Sequence, residues 1–189
     1  MSRLILDLKT LSGVQEVAGP YNASVLALFS GEDFARSEIL LTKRSHRVAT
    51  HAGQVAFPGG GLEGIDGGDP VRTALRETEE EVGLPASRLL AVGILPRFPT
   101  VTGDFLVTPV IGVADPGVRE LPLKPDPLEV AHAAWVPVRK LVETRSDEQR
   151  QVRGLELVLP VFDWEGERVW GLTALIFDLI LKRYGTLSP

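Results

Sequence analysis

Short blocks rich in Val, Leu and Ile recur along the chain, at residues 23–29, 38–42, 89–95, 105–113 and 155–162. Each is bounded by Gly, Pro, Asp or Ser, so each predicts a β-strand. A second period appears just after the glycine-rich stretch at 59–69. Val71, Ala74, Leu75, Thr78 and Val82 recur at the spacing of one helix face. Asp69 is a suitable N-cap, Pro70 fits the first helical position, and Gly83 can end the helix in a left-handed conformation. The pattern therefore predicts a helix over 70–82. A second helix is predicted over 172–183, broadly apolar, with Lys182 and Arg183 in its last turn where they suit the helix dipole. A shorter helix is expected after Pro137. Strands before, between and after helices predict an α/β protein, a mixed sheet with helices on its faces.

Two stretches lack either period. Residues 59–69 form a glycine-rich, acidic loop. Residues 116–127 hold four prolines and read as an exposed connection. Core-type segments continue on both sides of each, so the expectation is one domain over 1–189.

Composition narrows the function classes. The chain has 189 residues, 44% of them hydrophobic, which argues against disorder. Its 25 acidic and 20 basic residues give a net charge of −5, against sequence-independent nucleic-acid binding. It has no cysteine, which excludes disulfides and thiolate chemistry. The apolar start, residues 1–9, is broken by charge and lacks the longer apolar core of a signal peptide. The run 174–177 is cut by Asp178 and is too short to span a bilayer. The expectation is a soluble, cytoplasmic protein without nucleic-acid or membrane partners.

Glu77, Glu79, Glu80 and Glu81 crowd the C-terminal half of the first helix. Like charges three or four residues apart repel by about 0.2–0.5 kcal/mol per pair, and the helix dipole adds to the cost. Glu77, Glu80 and Glu81 share an arc of roughly 100°, and Glu77 and Glu81 lie close to the border with the buried face. Carboxylates half out of water need a cation. Arg76 is one; a hard divalent ion with oxygen ligands is a stronger remedy. A solvated acidic face is the alternative reading of the same residues.

The run Arg76-Glu77-Thr78-Glu79-Glu80-Glu81-Val82-Gly83-Leu84 resembles, residue by residue, the second half of the Nudix box, R-E-U-x-E-E-x-G-U with U a bulky apolar residue. Thr78 is the departure at the first U. Phe57-Pro58-Gly59-Gly60 resembles the turn that opens the box. The family's Glu eight residues before the Arg, and the Gly six before that, are here Gly68 and Leu62. A two-residue insertion in the loop 61–68 accounts for this, and places Asp66 six residues after Gly60 as the substitute acid; Asp69 and Glu63 are the other candidates. Leu40-Leu41-Thr42-Lys43-Arg44-Ser45, followed by residues 51–60, is similar to the coenzyme A diphosphatase branch. That signature runs L-L-T-x-R-S, three residues, R, three residues, G, three residues, F-P-G-G. The second Arg is Ala49 here, with Arg47 two residues earlier. Residues 101–103 with 107–110, Glu129-Val130 with 135–137, and 170–174 also look like that branch, so the likeness covers roughly 38–181.

The resemblance implies an α/β/α sandwich with a mixed sheet and a loop–helix–loop catalytic motif. It implies that Glu77, Glu80 and Glu81, with the Gly60 carbonyl, ligate Mg²⁺ or Mn²⁺, and that Arg76 pairs with a glutamate. Cations bridging a diphosphate neutralise it and activate an attacking water. Glu80, Glu81 or Glu129 is the candidate general base. Arg44, Lys43, Arg47 and His51 are candidate substrate contacts; His46 and His132 read as surface residues, and Trp135 and Trp170 as core. The implied partner is a small nucleotide substrate, and a homodimer is the implied assembly. The implied reaction is hydrolysis of coenzyme A or a derivative to 3′,5′-ADP and 4′-phosphopantetheine or its acyl form. The alternatives are ADP-ribose or another nucleoside diphosphate derivative, or a catalytically impaired binding module of the same fold.

Overall fold

The computed structural model describes residues 22–48, 51–100, 105–152 and 154–184. The start of the chain, Ala49 and the motif at 101–103 lie outside these residues. The strands are β1 (Ala23–Ser30), β2 (Glu38–Arg44), β3 (Val55–Ala56), β4 (Gly59–Gly61), β5 (Leu89–Ile94), β6 (Phe98–Pro99), β7 (Leu106–Ala114), β8 (Val130–Pro137), β9 (Ser146–Val152), β10 (Leu155–Trp164) and β11 (Glu167–Val169). The helices are α1 (Pro70–Val82), α2 (Val138–Glu143) and α3 (Gly171–Tyr184).

β1 to β8 form one eight-stranded mixed sheet. β1 runs parallel to β7 over seven residue pairs, while β5 and β6 pair antiparallel with the far edge of β7. β8 pairs antiparallel with β2. β1 and β2 pair at Phe29↔Ile39 and Ser30↔Glu38. Toward the other end each takes a different partner. β2 pairs with β3 at Thr42↔Ala56 and Lys43↔Val55, and β1 pairs with β4 at Ala23↔Gly61, Ser24↔Gly60 and Val25↔Gly59. The segment β3–turn–β4 thus fills a fork between β1 and β2.

Side chains alternate across the strands. Leu26, Leu28, Leu40 and Val110 meet Ala74, Val82 and Leu84 on the α1 face. Ala27, Phe29, Ile39, Leu41 and Ile111 meet Phe162, Ile176, Phe177 and Ile180 on the opposite face. This is the expected α/β/α layering. α1 has the expected bounds, with Asp69 Oδ1 accepting from Val71 N–H at 2.8 Å and Gly83 at φ 72°.

The structure corrects four local expectations. The buried residues of α1 are Thr73, Ala74, Thr78, Glu81 and Val82. The stripe is turned toward Glu81 because threonine hydroxyls satisfy themselves inside: Thr78 Oγ1 donates to Ala74 O at 2.7 Å and Thr73 Oγ1 to Asp66 Oδ2 at 3.0 Å. The proline-rich connection is not simply exposed. Val118 is fully buried, and Lys124 and Asp126 N–H donate to the carbonyls of Val82 and Glu81, strapping the end of α1. The run 155–162 is not core throughout. Leu155 and Val158 are exposed, since β9 and β10 pair as a two-stranded ribbon over Leu155↔Val152 to Val161↔Ser146. β9, Ser-Asp-Glu-Gln-Arg-Gln-Val, is too polar to announce itself. Trp135 is buried, but Trp170 is only half-buried, with the Arg150 guanidinium 4.5 Å from its ring centroid. His46 and His132 are exposed as expected. Among the described residues no helix is long and apolar enough to cross a membrane.

Candidate active site

The Pro58-Gly59-Gly60 turn is fixed from below by the sheet. Leu26 N–H donates to Pro58 O at 2.8 Å. Gly59 has φ 152°, and a Cβ there would sit 2.2 Å from Ser24 O and 2.6 Å from Val25 Cα. Only glycine fits so close to another backbone. A Cβ on Gly60 would meet the Glu77 carboxyl carbon at 2.5 Å, so the Glu77 carboxylate lies directly against the turn. Glu81 Oε2 accepts the Gly59 N–H at 3.1 Å.

These two acids are poorly hydrated. Glu81 is 4% exposed. Burial pushes its carboxyl up to about 8; the Gly59 N–H and the Arg44 charge oppose the rise, and the charges of Glu77 and Glu129 add to it. Burial also raises Glu77, against the pull of Arg76, with Glu80 and Glu129 adding to the rise. The structure therefore brings Glu77, Glu81, Glu129 and Arg44 into one electrostatic neighbourhood. Glu80 points outward, its side chain 59% exposed.

Arg76 organises the acids. Its Nε and Nη2 grip Asp66 Oδ1 and Oδ2, both at 3.0 Å. Nη1 reaches Glu80 Oε2 at 2.7 Å, and Nη2 reaches Glu77 Oε1 at 2.9 Å and Gly61 O at 3.1 Å. Asp66 is buried and also accepts the Glu63 N–H at 2.9 Å. Arg76 above all holds its carboxyl down to about 2; burial opposes, and the Glu63 N–H and the Thr73 hydroxyl help. The bidentate partner of Arg76 is thus an aspartate, with Glu77 and Glu80 at single contacts. Of the other acids in the loop, Asp69 caps α1 and Glu63 lies at the rim, 4.0 Å from Arg76.

The remaining candidates separate. Arg44 is half-buried on the α1 face, and its Nε is buried without a hydrogen-bond partner. Lys43 faces the other side of β2, as strand alternation requires. Its Nζ is 2.5 Å from Glu167 Oε1, and it lines an open cavity of about 290 Å³ with His132, Trp164, Glu165 and Glu167. Arg47 is exposed, its backbone N–H on Ser45 Oγ at 3.2 Å. His51, at φ 59°, has Nδ1 3.0 Å from Gln54 Oε1 and so holds its own turn. Thr73, the hydroxyl that helps fix Asp66, carries no signal in the sequence beyond a helix-interior position.

Glu77, Glu81 and the Gly60 backbone are hard oxygen donors, the set a Mg²⁺-like ion takes. Among the described residues no three His, Asp or Glu side chains converge as a ready cation cage. Arg76 draws Glu80 and Asp66 to its own side, so the donors fit the ion in kind while Glu80 is held by the arginine.

Known proteins are similar to this chain. The chain is 39% identical over 147 residues to a protein of Photorhabdus laumondii named "Uncharacterized Nudix hydrolase NudL", covering 77% of this chain and 76% of that one. It is 37% identical over 147 residues to the Escherichia coli K12 protein of the same name, covering 76% and 74%. Among solved structures, a MutT/nudix family protein from Enterococcus faecalis aligns with TM-score 0.55 at 16% identity, over 94% of this chain and 67% of that one, which shows the fold. The NUDIX domain model matches residues 20–156, across the fork, the turn and all of α1. The glycine turn under Glu77 and Glu81 and the Arg76 that braces the acids both lie inside the matched segment, and the chain belongs to the NUDIX domain family as a Nudix hydrolase.

Proposed function

We propose that this hydrolase cleaves the diphosphate bond of coenzyme A or one of its derivatives, releasing 3′,5′-ADP and 4′-phosphopantetheine or its acyl form, with Mg²⁺ or Mn²⁺. The observation that carries the metal-dependent reading is Glu81, buried at 4% exposure beside Glu77, with its carboxyl pushed up to about 8. Such acids cost stability unless a cation joins them. Glu77, Glu80 and Glu81, with the Gly60 carbonyl, would hold the ion. Bound there, it would neutralise diphosphate charge and lower the pKa of a water. Arg76, anchored on Asp66, positions Glu77 and Glu80. Arg44, beside Glu81, presents a guanidinium to a diphosphate oxygen, a charge-assisted contact suited to anions. Glu129, exposed and close enough to raise both buried acids, is free to take a proton from water; Glu80 and Glu81 remain the other bases.

Coenzyme A is supported by the run Leu40 to Ser45 and by the spacing from it to Phe57-Pro58-Gly59-Gly60. One observation favours ADP-ribose or another nucleoside diphosphate derivative instead: Lys43 is paired with Glu167 on the far face, which leaves one cation fewer for an additional phosphate. An impaired binding module would draw its support from the altered loop 61–68, yet that loop still delivers a carboxylate, Asp66, to Arg76.

A product screen by mass spectrometry tests the choice, with coenzyme A, dephospho-coenzyme A, ADP-ribose, NADH and a nucleotide sugar, each with Mg²⁺ and Mn²⁺. Release of 3′,5′-ADP from coenzyme A, faster than cleavage of the others, is the expected result. Faster cleavage of ADP-ribose overturns the coenzyme A assignment and leaves the hydrolase.

A further inference from the structure

Four buried side-chain atoms lack a hydrogen-bond partner among the described residues: Arg44 Nε, Arg97 Nη1, Thr108 Oγ1 and Trp135 Nε1. Two of them belong to guanidiniums. A cation partly out of water is costly without a counter-charge. Arg44 at least feels Glu81. Arg97 is half-buried and has neither ion pair nor hydrogen bond from its side chain among the described residues. Nothing among the described residues uses its charge.

Register locates it. Leu95 N–H donates to Pro109 O, and Phe98 pairs with Val107, so Arg97 joins the sheet at the level of Thr108. Thr108 pairs with Ser24, and Ser24 with Gly60. The row Arg97–Thr108–Ser24–Gly60 therefore leads to the glycine against which Glu77 lies. Three strand spacings make it roughly 14 Å long at the backbone. Phe98 packs into the core on the α3 side, so alternation turns its neighbour Arg97 toward the α1 side, where Glu77 and Glu81 are. Arg44 stands at the end of β2, across the segment β3–turn–β4. The two guanidiniums bracket the acids from opposite sides.

We propose that Arg97 is a specificity-determining residue that binds a phosphomonoester carried by the substrate in addition to its scissile diphosphate. Arg44 serves the diphosphate, and Arg97 supplies the cation that Lys43, tied to Glu167, does not. The inference rests on the reading that the substrate is a phosphorylated nucleoside diphosphate derivative, and the test separates the two.

The first measurement is calorimetric binding of 3′,5′-ADP and of AMP to the metal-free protein, wild type against Arg97→Ala, Arg97→Met and Arg97→Lys. Loss of a charge-assisted contact weakens 3′,5′-ADP binding roughly tenfold to a hundredfold. AMP binding is unchanged, and Arg97→Lys recovers part of the loss. Arg97→Met keeps the aliphatic packing, and its thermal midpoint checks that the fold survives. The second measurement is KM for coenzyme A and for dephospho-coenzyme A, which differ by the 3′-phosphate alone; only the first rises in Arg97→Met. Equal weakening of both ligands, or of neither, overturns the role of Arg97 even if coenzyme A is cleaved. An Arg97-dependent preference for 3′,5′-ADP in a protein that does not cleave coenzyme A upholds Arg97 and overturns the substrate.

Discussion

Asp66→Asn keeps the volume of a buried side chain and removes its charge. Asp66 receives four donors: Arg76 Nε on Oδ1, and Arg76 Nη2, the Glu63 N–H and the Thr73 hydroxyl on Oδ2. An asparagine must turn its own NH₂ toward one of these, so at least one acceptor becomes a donor facing a donor. Removing one partner of a buried ion pair costs about 3–5 kcal/mol. Arg76 keeps Glu77 and Glu80, which sets the expectation at the lower end, about 3 kcal/mol. For a chain of this length that is a fall in thermal midpoint of roughly 6–12 °C. Asp69→Asn is the control. It changes the same charge in the same loop, but asparagine caps a helix as well as aspartate does, so its midpoint stays put. Acid titration adds a signed check. The Asp66 carboxyl is held at about 2 against an ordinary 3.8, so its contribution is complete above that ordinary value and is lost as pH falls toward 2. The gap between wild type and Asp66→Asn should close over that window. Arg76, released from its main anchor, also draws harder on Glu77 and Glu80, and the apparent Mg²⁺ affinity falls roughly tenfold. A midpoint within about 2 °C of the Asp69→Asn control, on the same scale of a few degrees per kcal/mol, refutes the assignment of Asp66 as the anchor of Arg76.

Glu80→Gln and Glu81→Gln should both abolish metal-dependent turnover but differ in stability. Glu80 is largely exposed, so its amide leaves the melting curve where it was; a lost fold, or full activity, would sink its role. Glu81 is raised to about 8, so in the metal-free protein stability should fall as pH rises from the ordinary carboxylate value toward 8; Glu81→Gln removes that slope, and a slope that survives counts against the buried acid. Arg44→Ala should raise KM for the diphosphate substrate more than it lowers kcat, as expected when uniform binding is lost; an unchanged KM excludes it as a substrate contact. Asp178, buried on α3, holds Arg145 Nε at 2.8 Å and Lys182 Nζ at 2.7 Å. Burial alone would raise its carboxyl, but Lys182 and Arg145 outweigh it and hold it low. Its contribution is present above the ordinary carboxylate range and disappears in acid, so Asp178→Asn should flatten the loss of stability below pH about 4, read by urea titration.

The bounds of α1 were legible because three residues with separate reasons agree: a capping Asp69, a Pro70 that needs no N–H, and a Gly83 at positive φ. The same sequence carries no comparable signal for β9, whose residues are polar and whose partner is set by hydrogen bonds to β10. In the site, spacing along α1 placed Glu77 and Glu81 near the buried border. It could not tell that Glu81 crosses it, because the depth depends on how Gly59 seats between Ser24 and Val25. Lys43 and Arg44 are neighbours in sequence and looked alike. Strand alternation sends them to opposite faces, a distinction that depends on which face α1 covers. Arg97 had no local signature, since what marks it is a missing partner.

The fork that seats β3, the turn and β4 has a consequence for how this chain can change. Gly59–Gly61 is hydrogen-bonded into the sheet on one side, and α1 is pinned at its far end by the strap through Lys124 and Asp126. The distance between the turn and the acids is therefore set by two fixed anchors, and within the loop between them Asp66, through Arg76, adds to that positioning. Gly64 and Gly68 face open space, so the segment can lengthen or shorten outward. All that must be preserved is one short acid landing within reach of Arg76. Position in space, rather than position in the motif, is what selection can read at that acid, and loop length becomes a quantity free to drift while the chemistry stays put.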